Sequence, residues 1–105
     1  MFGKLGEIMK QAKDVKSNMA KAEKIASETM VNGASSGDFV RIVMTAQGFV
    51  ESVHIEPIAS KDVEMLEILV KEAFQNGKNN ANLKLADIMK EHVGDLQELQ
   101  SLLSK

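Results

Sequence analysis

The sequence has no cysteine, no tryptophan, no tyrosine and a single proline in 105 residues. Without cysteine there is no disulfide, no thiolate nucleophile and no cysteine-ligated zinc, which suits a reducing compartment. Four Phe are the only aromatics, too few for the stacking platforms that hold single-stranded nucleic acid. No apolar run approaches the roughly 18 residues of a membrane span. The opening Met1-Phe2-Gly3-Lys4-Leu5-Gly6-Glu7 also lacks the apolar stretch of a secretory signal, so the expected location is the cytoplasm, with no membrane partner. An excess of one charge is missing too: 13 Lys and Arg stand against 15 Asp and Glu. Bulk attraction to nucleic acid is therefore not the default, and any such contact must come from local patterning. What is present, 44% apolar and 27% charged residues, fits one small globular domain. A chain of this size buries only about two-thirds of its unfolded surface, so a long apolar stripe left uncovered asks for a partner.

The first such stripe is Leu5, Ile8, Ala12, Val15, Met19, Ala22 and Ala26, whose alternating steps of three and four mark an amphipathic helix over residues 1–30. Val31 to Asp38 is a loop by composition, with Thr29-Met30-Val31 as an optional short edge strand. Residues 37–56 form a hairpin: Phe39 to Thr45 and Phe49 to Glu56 are β-branched and aromatic-rich, joined by Ala46-Gln47-Gly48 and stopped by Pro57. Ser60 or Asp62 can cap the next helix. The poor helix formers Asn76-Gly77-Lys78-Asn79-Asn80 interrupt its composition but not its phase. Val63, Leu66, Val70, Phe74, Gly77, Ala81, Leu85, Ile88 and His92 keep one seam, which predicts a single helix over 62–92 ending before Gly94. A short helical tail over 95–104 carries Leu96, Leu99, Leu102 and Leu103. The fold class is α+β: a long N-terminal helix, a small antiparallel sheet of two or three strands and a long C-terminal helix. Helices of about 37 to 45 Å overhang strands of about 26 Å. The seam from Leu5 to Ala26 is thus expected at the interface of a homodimer.

Opposite that seam, Lys10, Lys13, Lys21 and Lys24 fall within an arc of about 80° at 100° per residue. Residues 1–26 hold six Lys against three acidic residues, whereas 27–105 hold seven basic and twelve acidic. Such a stripe suits the phosphates of duplex DNA, which reward neutralisation without base readout. The alternative is a helix-mediated protein-interaction module, with recombination or replication proteins as partners, whose lysines only solvate the helix. His54 and Glu56 share a strand face, but a solvent-facing histidine explains them better than a metal site. Gly33-Ala34-Ser35-Ser36-Gly37-Asp38 lacks the Gly-Lys-Ser/Thr ending of a phosphate cradle. With no nucleophile beside a base, the chain is not expected to be an enzyme. No cofactor, metal or small-molecule substrate is expected either.

The order of several short motifs resembles the YbaB/EbfC nucleoid-associated proteins of bacteria. They are Met1-Phe2-Gly3-Lys4-Leu5-Gly6 followed by Met9-Lys10-Gln11-Ala12, Thr45-Ala46-Gln47-Gly48, Val53-His54-Ile55-Glu56-Pro57, and Glu64-Met65-Leu66-Glu67 leading to Val70, Ala73-Phe74 and Asn76. The resemblance runs to Gly94. It implies a tweezer-like homodimer in the nucleoid that binds duplex DNA with little sequence preference and catalyses nothing. It also implies DNA contacts on the first and last helices, which here adds Lys71 and Lys78 to the four lysines of the stripe.

Overall fold

A computed structural model describes residues 2–94. Helix α1 spans Phe2–Glu28, strand β1 Met30–Ala34, β2 Val40–Thr45, β3 Val50–Ile55 and helix α2 Val63–His92. Single 3-10 turns at Ser36–Asp38 and Pro57–Lys61 join β1 to β2 and β3 to α2. The sheet is an antiparallel meander in the order β1-β2-β3. Its α+β class is the one expected, and the helix through Gly77 is continuous.

Alternation along β2 sends Val40, Ile42 and Met44 to one face, where α2 covers them with Leu69, Ala73 and Ala81. Burying each such aliphatic side chain contributes about 1.5–3 kcal/mol. Asp62 starts α2 by accepting the Met65 N–H at 3.1 Å, and at the other end the Val93 N–H returns to the Met89 carbonyl at 2.8 Å. Gly94 follows at φ +84°, the left-handed conformation that terminates a helix.

The expected loop at 31–38 is a correction, because β1 occupies its first half. Composition argues against a strand at Asn32-Gly33, and the stabilisation comes from α2. Asn76 Oδ1 accepts the Ala34 N–H at 2.9 Å, and Asn80 Nδ2 donates to the Asn32 carbonyl at 2.8 Å. One turn earlier, Glu72 accepts from the Ser36 N–H at 3.1 Å and from its hydroxyl at 2.7 Å. Residues 72, 76 and 80 thus form a ladder that occupies the polar edge of β1. So close an approach needs glycine at position 33, where a Cβ would lie 2.5 Å from the Ala73 carbonyl oxygen and from Gly77 Cα. The poor helix formers between Asn76 and Asn80 therefore dock the helix rather than break it.

Moving up the ladder, α2 numbers rise as β1 numbers fall, so α2 is antiparallel to β1 and to the α1 that leads into it. Beyond the sheet the two helices pair as an arm. Its core holds Ala22, Ala26, Ala46 and Ile88, with Ile25, Leu85, Met89 and Val93 packed around them. The molecule measures 71 × 22 × 15 Å, a small body with one long projection. The tail over 95–104 lies outside the described residues.

Candidate nucleic-acid interface

Helix α1 forms the outer side of the arm. Residues 7–28 contain no glycine or proline and are rich in Ala, Lys and Glu, so propensity and the apolar seam agree. The seam divides in two. Ala22 and Ala26 are fully buried in the chain's own arm core. This corrects their placement at a dimer interface, because periodicity shows that a face is buried and not by what. N-terminal of them, Leu5, Met9 and Met19 are 57%, 65% and 37% exposed, Ala12 is exposed, and Ile8 and Val15 are half-buried.

Lys10, Lys13, Lys21 and Lys24 are all exposed on the opposite face of α1. From Lys10 to Lys24 the stripe runs about 21 Å along the helix, the axial rise of about six base pairs. Among the described residues the only ion pair of a lysine or arginine joins Arg41 to Glu56 at 3.2 Å, on the outer face of the sheet, where the His54 ring also reaches Glu56 at 3.1 Å. No carboxylate among the described residues forms an ion pair with the stripe, although Glu7, Asp14 and Glu23 lie on the same helix. The structure does not bring Lys71 and Lys78 to this stripe. They lie on the body segment of α2, where the Lys78 ammonium stands over the β2–β3 turn, 3.1 Å from where a Gly48 Cβ would be.

His54 faces solvent and contacts the carboxylate of Glu56. No cluster of three or more His, Cys, Asp or Glu suited to a metal occurs among the described residues. The acidity of Glu72 is altered by its bonds to Ser36. The Ser36 hydroxyl bond first, then the Ser36 backbone N–H, holds its pKa below the usual 4.5.

A second surface escaped the sequence reading. The side chains of Val50, Val53 and Ile55 are in register with Met44, Ile42 and Val40, so they point to the same face of the sheet. Helix α2 covers that face over β1 and β2 but leaves β3 open, with Val53 47% exposed. The outer edge of β3 is also unpaired among the described residues. Its alternation of apolar Val53 and Ile55 with polar Ser52 and His54 was the available signal.

Residues 1–96 match the family described as the YbaB/EbfC DNA-binding family. A protein of Dictyoglomus turgidum named as a nucleoid-associated protein is 40% identical over 85 residues, 79% of this chain and 82% of its own length. One of Maricaulis maris, also named nucleoid-associated, is 34% identical over 92 residues, 86% of each chain. The crystal structure of an uncharacterized Helicobacter pylori protein superposes with a TM-score of 0.72. It is 18% identical, with 90% of this chain and 98% of that one covered, and shares the fold.

Proposed function

Because the chain belongs to the YbaB/EbfC DNA-binding family, we propose that it is a homodimeric nucleoid protein that grips duplex DNA by its phosphates. In this reading it has little sequence preference and performs no catalysis. The observation that carries the reading is the stripe Lys10, Lys13, Lys21 and Lys24: four exposed ammonium groups on one helix face, none held by a carboxylate among the described residues. Counterion release rewards each phosphate they neutralise, whatever the base sequence. Residues 27–105 carry a net negative charge, which favours the α1 side as the face turned toward DNA. Lys71 and Lys78 are assigned to phosphates nearest the body.

The homodimer is assigned to β3 rather than to the α1 seam. An unpaired edge strand beside an uncovered apolar face is a template for a second copy, and antiparallel edge pairing across a two-fold axis is self-complementary. That arrangement buries Val50, Val53 and Ile55 of both copies and lets two arms project as a tweezer. The bacterial nucleoid is the proposed location. No helix among the described residues is long and apolar enough to cross a membrane.

The test is a gel-shift titration of several unrelated duplexes with the native protein and with a variant changing all four stripe lysines to Ala. Equal affinity of the native protein for every duplex, and a similar loss for each in the variant, are expected. Absence of native binding at moderate salt, or binding indifferent to the change, would favour the protein-interaction module instead.

A further inference from the structure

The sequence contains two Asn-Gly dipeptides, Asn32-Gly33 and Asn76-Gly77, and the fold lays one on the other. Gly33 and Gly77 are both buried, and a Cβ on Gly77 would lie 3.5 Å from Gly33 Cα. An asparagine followed by glycine is the one most open to attack by the chain's own backbone, because glycine has no Cβ to hinder its nitrogen. The lysine stripe uses neither pair.

We propose that Asn32 and Asn76 are sites of spontaneous deamidation, both held unreactive by the contact between β1 and α2 and released together when that contact opens. In the reaction the backbone nitrogen of the following glycine attacks the asparagine Cγ. The N–Cγ bond forms, the nitrogen gives up its proton, and the side-chain amide leaves as ammonia. Water then adds to either carbonyl of the resulting cyclic imide and opens it to aspartate or to isoaspartate. Water is the only other reactant.

The folded chain withholds both nucleophiles. Within α2 the Gly77 N–H is committed to the Ala73 carbonyl, one turn back. In β1, the Ala46 N–H bonds to the Thr29 carbonyl and the Ser35 N–H to the Val40 carbonyl, each at 2.9 Å. Alternation between those two bonds turns the Gly33 N–H toward its partner Ile42. The Asn76 side chain is itself fixed by the Ala34 N–H. These protections are mutual: Asn76 to Asn80 are poor helix formers and Asn32-Gly33 a poor strand, so each segment keeps its conformation through the other. Undocking therefore frees both. Aspartate at position 76 would still offer an oxygen to the Ala34 N–H. Isoaspartate would add a methylene to the main chain and put Asn80 out of phase with Glu72, so that the opening is recorded irreversibly.

The test incubates the full chain at mildly alkaline pH, folded and in guanidinium, and follows the replacement of NH2 by OH at each asparagine by mass spectrometry of its peptides. In guanidinium, Asn32 and Asn76 are expected to react well ahead of Asn18, Asn79, Asn80 and Asn82, which precede larger residues. Folding should slow both by about tenfold or more, and by similar factors, because one opening gates both. Glu72→Ala removes the two bonds to Ser36 and alters neither dipeptide. It should speed both sites in the folded protein by about fivefold, the equivalent of one net hydrogen bond. Equal rates in the folded and unfolded chain would show that the contact protects neither site. Protection of Asn76 alone, or acceleration of a single site by Glu72→Ala, would show that the two open separately. Any of these results overturns the proposal, as would an unfolded chain in which Asn32 and Asn76 react no faster than the other asparagines.

Discussion

Replacing Gly33 by Ala tests the contact on which the body is built. The new Cβ would stand 2.5 Å from the Ala73 carbonyl oxygen and from Gly77 Cα and N, all backbone atoms that no rotamer change can move. Ordinary contact is about 3.5 Å, so α2 must rise by about 1 Å over β1. The Asn76 and Asn80 bonds, now 2.9 and 2.8 Å, would then exceed hydrogen-bonding range. Overpacking costs about 1–3 kcal/mol and each lost bond about 1 kcal/mol. Alanine recovers about 0.5–1 kcal/mol over glycine in a strand. The net destabilisation is about 2–4 kcal/mol, a large share of the roughly 5–15 kcal/mol that holds a small domain. Gly77→Ala is the control. Its Cβ would meet the flexible end of Met44 at 2.8 Å, and helix propensity favours Ala by about 1 kcal/mol, so it should stay within about 1 kcal/mol of the parent. Urea unfolding followed by circular dichroism, at one fixed protein concentration because self-association, as proposed, would add to stability, reads both. A Gly33→Ala variant as stable as the parent, or one less affected than Gly77→Ala, would refute the close approach.

Changing Val53 to Asp should convert the proposed dimer to monomer by light scattering while the helical signal persists, because the charge would be buried only in the assembled state; a dimer unaffected by the change would remove β3 from the proposed interface. The lowered pKa of Glu72 links stability to acid: its bonds to Ser36 contribute fully above the unfolded value near 4.5 and are lost as pH falls through the folded value. Glu72→Gln should therefore lower the urea midpoint at pH 7, with the difference from the parent shrinking as pH falls below 4.5, and a difference that does not change with pH would argue against the linkage. Changing Lys71 and Lys78 together to Ala should weaken DNA binding less than any two changes within the α1 stripe; a larger effect would move the main grip to the body.

The elements that local pattern dictates were legible in the sequence. The phase from Val63 to His92 carried α2 through Gly77, Asp62 capped it, and the apolar alternation around Ala46-Gln47-Gly48 located the hairpin. What was not legible depends on distant partners. Strand β1 is stabilised by Asn76 and Asn80, more than 40 residues away, and the spacing of four that links Glu72, Asn76 and Asn80 has meaning only once an edge lies beneath it. In the same way, Ala22 and Ala26 read as a buried face, but whether α2 or a second chain buries them is decided by how far α2 extends past the sheet. The lysine stripe was visible because exposed charge on one helix face needs no tertiary information; the absence of carboxylate partners among the described residues required the structure.

The central claim is that phosphate contact by the α1 stripe, doubled in a homodimer, is the protein's grip on DNA. The most direct measurement is the salt dependence of duplex binding for the native protein and for variants losing Lys10, Lys13, Lys21 and Lys24 in turn. If about four of the eight stripe lysines engage phosphate at once, log K falls against log salt with a slope near −4, and the slope flattens with each lysine removed. A native slope near zero, or one that stays constant as the stripe is dismantled, would contradict the account.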